Sequence, residues 1–394
     1  DLVARHLPPV YSPVGLGDIV SSVFSRRESS QTQLIGLLGD HFDAEHALLT
    51  GSGTQALQLA ISAALSEGTS VALPAYSCFD LVSAAVGARA PISFYDIDPQ
   101  TLTPDLDSLE RCVSEGARTI VAGNLYGYPL PWSELRNIAA HHDAILIEDA
   151  AQGLGSIGQG TPAGKAGHYT VLSFGRGKGW TGGGGGALLV GGGLDVPSLP
   201  PGTAVSRLRP AATSLAAWLL GRPSLYGIPA SIPQLALGET VYHPPRAPGS
   251  ISTFSAALAR RTRAASVDAI PLRREQARRW AQEILDRDPN GDRILPCLPI
   301  GDFDSASSLR FAVRLQGADL TSDTWDRLRR HGVESGYPVP LPRLPEASGL
   351  FKGDPTAFPG AEALSASLVT LPTHSWVRDV DRTTVLDLLT GSAS

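Results

Sequence analysis

Cysteine is scarce. The chain has three, Cys78, Cys112 and Cys297, an odd number, widely spaced and without a CxxC pair. That argues against a disulfide scaffold and a cysteine zinc site, and makes a reducing cytoplasm the expected location. Methionine is absent, and lysine nearly so: of 32 basic residues only Lys165, Lys178 and Lys352 are lysines. Charged residues are 18% of the chain against 42% hydrophobic, which excludes a charge-driven disordered chain. A net charge of −6 leaves no footprint for nucleic acid or an acidic membrane surface. No apolar run approaches the roughly 20 residues that span a bilayer, and Asp1 to His6 shows no signal-peptide core, so no membrane span is expected. The nine histidines include no HxxxH or HExxH spacing, and no metal site is expected.

What is there suffices for about two domains in 394 residues. The 42 glycines and 31 prolines follow no collagen period and belong in turns and loops. From about 45 to 190, short apolar strands (Ser70–Leu73, Pro91–Tyr95, Thr119–Ala122, Ala144–Ile147, Thr170–Phe174) alternate with helical stretches (Thr54–Leu65, Phe79–Val86, Leu106–Val113, Trp132–Ala140). This alternation predicts an α/β fold with a mainly parallel central sheet flanked by helices. Residues 191–250 break the pattern and read as an apolar linker with a short helix near 212–220. After it, a helix over Arg273–Asp286, a strand over Leu309–Leu315, and helices over Thr324–His331 and Asp379–Leu389 predict a smaller α+β domain. The expected division is a large domain over 1–250 and a small C-terminal domain over 251–394.

Ligands of such sheets sit beyond the carboxyl ends of the strands. Three elements fall there. Asp149, in Ile147-Glu-Asp-Ala-Ala-Gln152, ends a strand, where a carboxylate caps a loop or faces a ligand about equally often. Lys178 follows the strand ending in Ser173-Phe-Gly-Arg-Gly, just before Gly182 to Gly186. A loop lysine is usually only solvated, but this chain draws nearly all its positive charge from arginine. Lysine can form an imine and arginine cannot. Gly51-Ser-Gly-Thr54 opens a helix after a short apolar strand. Such a terminus is an ordinary N-cap or an anion site. Together the three describe a pyridoxal 5'-phosphate (PLP) site, with phosphate at the helix start, a carboxylate for the pyridinium nitrogen, and a lysine for the aldehyde. Gly153-Leu-Gly-Ser-Ile-Gly158 matches GxGxxG, but Gly160, Pro162 and Gly164 interrupt any following helix, so a dinucleotide site is not expected.

These residues resemble the fold-type-I PLP enzymes and, more narrowly, the DegT/DnrJ/EryC1/StrS family of sugar aminotransferases. Gly51-Ser-Gly-Thr-Gln-Ala-Leu57, Pro74-Ala-Tyr-Ser-Cys-Phe79, Asp96-Ile-Asp-Pro99, Leu125-Tyr-Gly127, Glu148-Asp-Ala-Ala-Gln152, Ser173 with Lys178, Tyr337-Pro-Val-Pro-Leu341 and Leu371-Pro-Thr-His374 carry the resemblance. It implies Lys178 as the catalytic, cofactor-linked lysine and Asp149 as pyridinium partner. It places Gln152 at the ring hydroxyl, and Thr54, the Gly53 amide and Ser173 on the phosphate. The family stacks an aromatic residue on the ring from the second of these segments; here that position is Cys78, with Phe79 as the alternative. The family's GxNxR-like stretch is matched only by Leu237-Gly-Glu-Thr-Val-Tyr242, with Thr240 in place of Asn.

The resemblance implies an aminotransferase that moves an amino group, with glutamate the expected donor, to a keto-sugar carried on a nucleotide. The product would feed polysaccharide or glycosylated-metabolite synthesis. A homodimer is expected, with each site built from two chains. Arg343, Arg378 and Arg176 are candidates for a donor carboxylate. Two alternatives remain: a non-catalytic or regulatory PLP-binding homologue, and an aminotransferase acting on a non-sugar keto acceptor. The family's dehydratases carry His where Lys178 stands, which argues against that branch.

Overall fold

The computed structural model describes residues 5–199, 206, 208–232, 240–317 and 320–391. The strands are β1 (His46–Thr50), β2 (Ser70–Pro74), β3 (Ile92–Tyr95), β4 (Ala117–Gly123), β5 (Ile145–Asp149), the short pair β6 (Ile157–Gly158) and β7 (Thr161–Pro162), β8 (Tyr169–Ser173), β9 (Gly186–Val190), β10 (Ile294–Pro296), β11 (Arg310–Leu315), β12 (Glu334–Ser335) and β13 (Leu368–Pro372). The α-helices are α1 (Leu16–Val23), α2 (Arg27–Phe42), α3 (Gly53–Ala64), α4 (Asp80–Ala88), α5 (Leu106–Ser114), α6 (Trp132–His141), α7 (Leu208–Leu220), α8 (Gly227–Ala230), α9 (Thr253–Asp268), α10 (Ile270–Arg287), α11 (Ser322–Arg330), α12 (Pro359–Ser367) and α13 (Asp379–Thr390).

Seven strands form one sheet in the order β1-β9-β8-β5-β4-β2-β3. Only β9 runs against the rest, pairing antiparallel with both β1 and β8. The other neighbours are parallel, as the strand-helix alternation predicts. Side chains alternate across this sheet with period two. On β9, Leu188 and Val190 enter the core shared with Ala56, Leu57 and Ile61 of α3. Ala187 and Leu189 face the other way, onto Leu34 and Leu38 of α2 and Ala256 of α9. Both faces are therefore covered, which is why these strands read as continuous apolar runs.

The second sheet, β10-β11-β13-β12, is antiparallel throughout. It buries Phe311, Val313, Val369 and Leu371 against Trp280 and Ile284 of α10 and Val385 and Leu389 of α13. Residues after 250 do not pass at once to this sheet. Helix α9 packs on α1 and α2, and its Ala259 carbonyl accepts a 2.6 Å bond from Trp180 Nε1. The apolar stretch between the two regions holds α7 and α8, while residues 233–239, including the first half of the stretch compared with GxNxR, lie outside the described residues. Among the described residues no helix is long and apolar enough to cross a membrane.

Candidate active site

Because β1, β2, β4, β5 and β8 point the same way, their carboxyl ends converge on one edge. There a cavity is lined by Gly53, Thr54, Cys78, Asp149, Gln152, Ser173 and Lys178, among others. Seven of the eight residues expected at a cofactor site are thus brought together from segments up to 125 positions apart in sequence, from Gly53 to Lys178. The eighth, Phe79, is not a lining residue. It sits at the start of α4, 5% exposed in the main core, because the turn before α4 sends Cys78 outward and Phe79 inward. Of the two candidates in that segment, it is therefore Cys78 that lines the cavity. Burial, reinforced by Asp80, pushes its thiol up to about 12, so it is present as a neutral thiol.

The acidic pair Glu148-Asp149 is divided by the strand's alternation. Glu148 is buried and accepts bonds from the Gly164 N–H (2.7 Å), the Ala166 N–H (2.9 Å) and Thr170 Oγ1 (3.2 Å), so its work is to fold the segment after β7. Asp149 lines the cavity. Its Oδ1 accepts from the Ala151 N–H at 3.1 Å, and no ion pair to it is found among the described residues. Burial raises its carboxyl above the ordinary value, while the Ala151 N–H and Lys178 pull the other way. A carboxylate held in this state gains most from a cationic hydrogen-bond donor.

At the helix opening, Ser52 is the N-cap, with its side chain accepting from the Gln55 N–H at 3.2 Å. That leaves Thr54 free to line the cavity from the first turn. A Cβ on Gly53 would lie 2.8 Å from Cβ of Ser173, so only glycine lets the helix start press against the end of β8. The first-turn N–H groups and the hydroxyls of Thr54 and Ser173 are suited to an anion such as phosphate.

Lys178 stands on the loop between β8 and β9. Phe174 and Trp180 are buried and meet edge to face at 4.9 Å, pinning both shoulders of the loop, and Ser12 Oγ donates to the Lys178 carbonyl at 2.9 Å. The glycine run does not open the cavity: none of Gly182 to Gly186 lines it. Instead Gly183, Gly184 and Gly185, at φ 70°, 150° and 92°, turn the chain back for the reversed strand β9, a path L side chains resist. The other two lysines are elsewhere, Lys165 paired with Asp43 and Lys352 exposed. Of the arginines considered for a carboxylate, Arg343 pairs with Glu362 at 2.6 Å and Arg378 with Asp381 at 3.7 Å, while Arg176 is exposed on the lysine loop.

Asn124 and Ser77 also line the cavity and were not anticipated. Asn124 follows β4 directly, and its position beyond a strand end was the available signal. Its Nδ2 donates to the Tyr128 carbonyl at 2.8 Å, and its buried Oδ1 has no partner. The GxGxxG run forms turns leading into β6, with no helix after it. His374 lies away from the cavity. Its Nε2 donates to the Pro8 carbonyl at 2.8 Å and its Nδ1 accepts from the Trp376 N–H at 3.3 Å.

The residues lining the cavity fit PLP: Asp149 could meet the ring nitrogen, Lys178 the aldehyde carbon, and Thr54, Gly53 and Ser173 the phosphate. The sequence points the same way. Residues 21–192 match the model of the DegT/DnrJ/EryC1/StrS aminotransferase family. An L-glutamine:2-deoxy-scyllo-inosose aminotransferase of Streptomyces kanamyceticus is 32% identical over 171 residues, 43% of this chain and 40% of that protein. A GDP-perosamine synthase of Vibrio cholerae is 27% identical over 190 residues, 46% of this chain and 52% of that protein. The matched stretch thus spans about half or less of these relatives' length. The crystal structure of a DegT DnrJ EryC1 StrS aminotransferase from Brucella abortus superposes with a TM-score of 0.70 at 20% identity, covering 95% of this chain and 93% of that one, which establishes a shared fold along nearly the whole length. Over residues 21–192, less than half of its length, the chain is similar to the DegT/DnrJ/EryC1/StrS aminotransferase family.

Proposed function

We propose that this protein is a PLP-dependent aminotransferase that transfers an amino group from an amino acid to a polyhydroxylated cyclic ketone of the keto-sugar type. The observation that carries the reading is the meeting of Lys178, one of three lysines, with the unpaired Asp149 carboxylate in a single cavity at the carboxyl edge of the sheet. When bound, PLP supplies an electron sink and a carrier for the amino group. Asp149 holds the proton on the ring nitrogen through a charge-assisted bond. Thr54, Ser173 and the first N–H groups of α3 anchor the phosphate and fix the ring's register. Lys178 Nζ holds the group covalently at rest. Freed by the donor's amine, the same nitrogen would serve as the base of the 1,3-proton shift, taking the proton from the donor α-carbon. In the second half-reaction it moves a proton in the opposite direction for the acceptor.

Two relatives bear on the substrates. The names of both describe chemistry on oxygenated ring compounds, one with L-glutamine as donor and one on a GDP-linked sugar. Glutamate is retained as the expected donor, glutamine as the first alternative, and a nucleotide carrier as the finer part of the acceptor proposal. Arg176, exposed beside Lys178, is the arginine still available for a donor carboxylate. The three cysteines are free thiols, consistent with a cytoplasmic enzyme.

Borohydride reduction followed by peptide mapping tests the cofactor site. The label is expected on Lys178; a label on Lys165 or Lys352 refutes the assignment. The aminated enzyme, offered nucleotide-linked keto-sugars, free cyclic polyhydroxy ketones and simple 2-keto acids, should recover its original absorbance with one of the first two. Recovery with keto acids alone would move the enzyme to amino-acid metabolism. A protein whose absorbance never responds to any amino donor would be a regulatory PLP binder.

A further inference from the structure

We infer that Gln152 is locked as a hydrogen-bond donor toward the cavity and that Tyr337, from beyond the four-stranded sheet, is the residue that positions it. The inference rests on the PLP reading above and adds a role to a residue outside the cavity lining. Gln152 Oε1 accepts from the Tyr126 N–H at 3.0 Å. A backbone N–H can only donate, so the amide oxygen must face it and the NH₂ must face away. Nε2 lies 3.4 Å from Tyr337 Oη, to which it donates. One of its two hydrogens is thereby directed to the tyrosine, and the other is left for an acceptor in the cavity that Gln152 lines.

Each partner is itself immobilised. Tyr126 is buried and has φ 53° and ψ 16°, a left-handed conformation unusual for a bulky residue and one that marks functional positions when the surroundings enforce it. The Tyr337 ring stacks on that of Tyr126 at 6.1 Å and 16°, and the Tyr337 N–H donates to Tyr76 Oη at 2.9 Å. The preceding residue is Gly336, where a Cβ would fall 2.2 Å from Tyr76 Oη, so glycine is what admits that hydroxyl. Burial holds the Tyr337 hydroxyl well above its ordinary value, and it stays neutral and able to accept. Tyr76 precedes α4, Tyr126 follows β4 and Gln152 follows β5 on the large sheet, whereas Tyr337 follows β12 on the small one. The orientation of one cofactor-facing amide therefore depends on the seating of the second sheet.

The ligand group implied is an oxygen bearing negative charge, which on the PLP reading is the ring oxygen. A donated bond stabilises that anion, so weakening it should raise the pH midpoint of the bound cofactor's visible absorbance. Tyr337→Phe keeps the ring stack and removes only Oη. The expected result is an upward shift of that midpoint by about half a unit, smaller than that of Gln152→Ala. The Tyr337→Phe/Gln152→Ala pair should shift no further than Gln152→Ala alone. Gln152→Glu, which cannot donate when ionised, should weaken cofactor binding by about tenfold or more. A Tyr337→Phe protein with a lowered thermal midpoint but an unshifted titration would overturn the inference, as would fully additive shifts, and either result leaves the Lys178 assignment standing. If the wild-type protein binds no chromophore, or carries it on another lysine, the inference falls with the reading it rests on.

Discussion

Neighbouring carboxylates with opposite duties are the clearest case at the residue scale. Glu148 is consumed by three protein donors, and Asp149 by one, which leaves the latter's charge unbalanced until a cationic ring arrives. Asp149→Asn should keep the fold by circular dichroism and lower kcat by roughly 10- to 100-fold, the worth of a charge-assisted bond. Near-normal turnover would remove Asp149 from the pyridinium role. His374 provides a pH dependence unrelated to chemistry. Burial lowers its pKa from 6.5 to about 4, and both ring nitrogens are already committed, one donating and one accepting. Between pH 4 and 6.5 the unfolded chain binds a proton that the folded protein refuses, so stability rises with pH across that window and is lost as pH falls. The loss reaches roughly 3 kcal/mol at most. His374→Gln should flatten the urea-unfolding midpoint between pH 6.5 and 4, and a profile as steep as the wild type's would contradict the assignment. Asp381 acts only below this range. Burial opposes its ionisation, but bonds from His331, Arg5 and the Arg378 N–H hold its carboxyl well below the usual value, and its contribution disappears only in strong acid.

At the scale of elements, the site is made where α3 meets β8. Gly53 and Ser173 touch so closely that one methyl group should drive them apart. Gly53→Ala is expected to weaken PLP binding at least about tenfold, the effect of one to three kcal/mol of overpacking, with secondary structure retained; unchanged affinity by absorbance titration would refute the packing argument. The helices of the large sheet and the carboxyl-end residues were legible because hydrophobic period and strand-end position are local properties. Strand β9 was not. Its apolar stretch Ala187–Val190 follows a glycine run that reads as open loop, and its reversed direction is set by three consecutive left-handed glycines that only the folded chain reveals. Helices α1, α2 and α9 were also missed, since α2 and α9 spend much of their length on small and polar residues and are held by packing on one another.

For the molecule as a whole, the homodimer expected from the resemblance would find a candidate surface. Helices α1 and α7 pack together and leave Phe24 81%, Leu208 75%, Val20 48%, Leu215 45% and Leu219 45% exposed. Apolar side chains grouped in this way commonly mark an interface. Light scattering should give twice the chain mass for the wild type and the single-chain mass for Phe24→Asp/Leu215→Asp. A wild-type monomer that turns over substrate would contradict a composite site.

The amino-acid sequence alone was enough to specify the α/β architecture, the cofactor class, and the roles expected of Lys178 and Asp149. Those conclusions depend on strand periodicity, on a lysine retained in an arginine-rich chain, and on residue types whose chemistry is their own. Tertiary structure alone decided that Cys78 and not Phe79 meets the cavity, that Asn124 joins it, and that the glycine run is a turn and not an opening. It alone showed that Tyr337, 185 positions from Gln152, reaches that amide. The physical reason is one of range. Propensity and periodicity act over a few residues, whereas the face a side chain presents, and the partner it finds, depend on how separate sheets and helices pack.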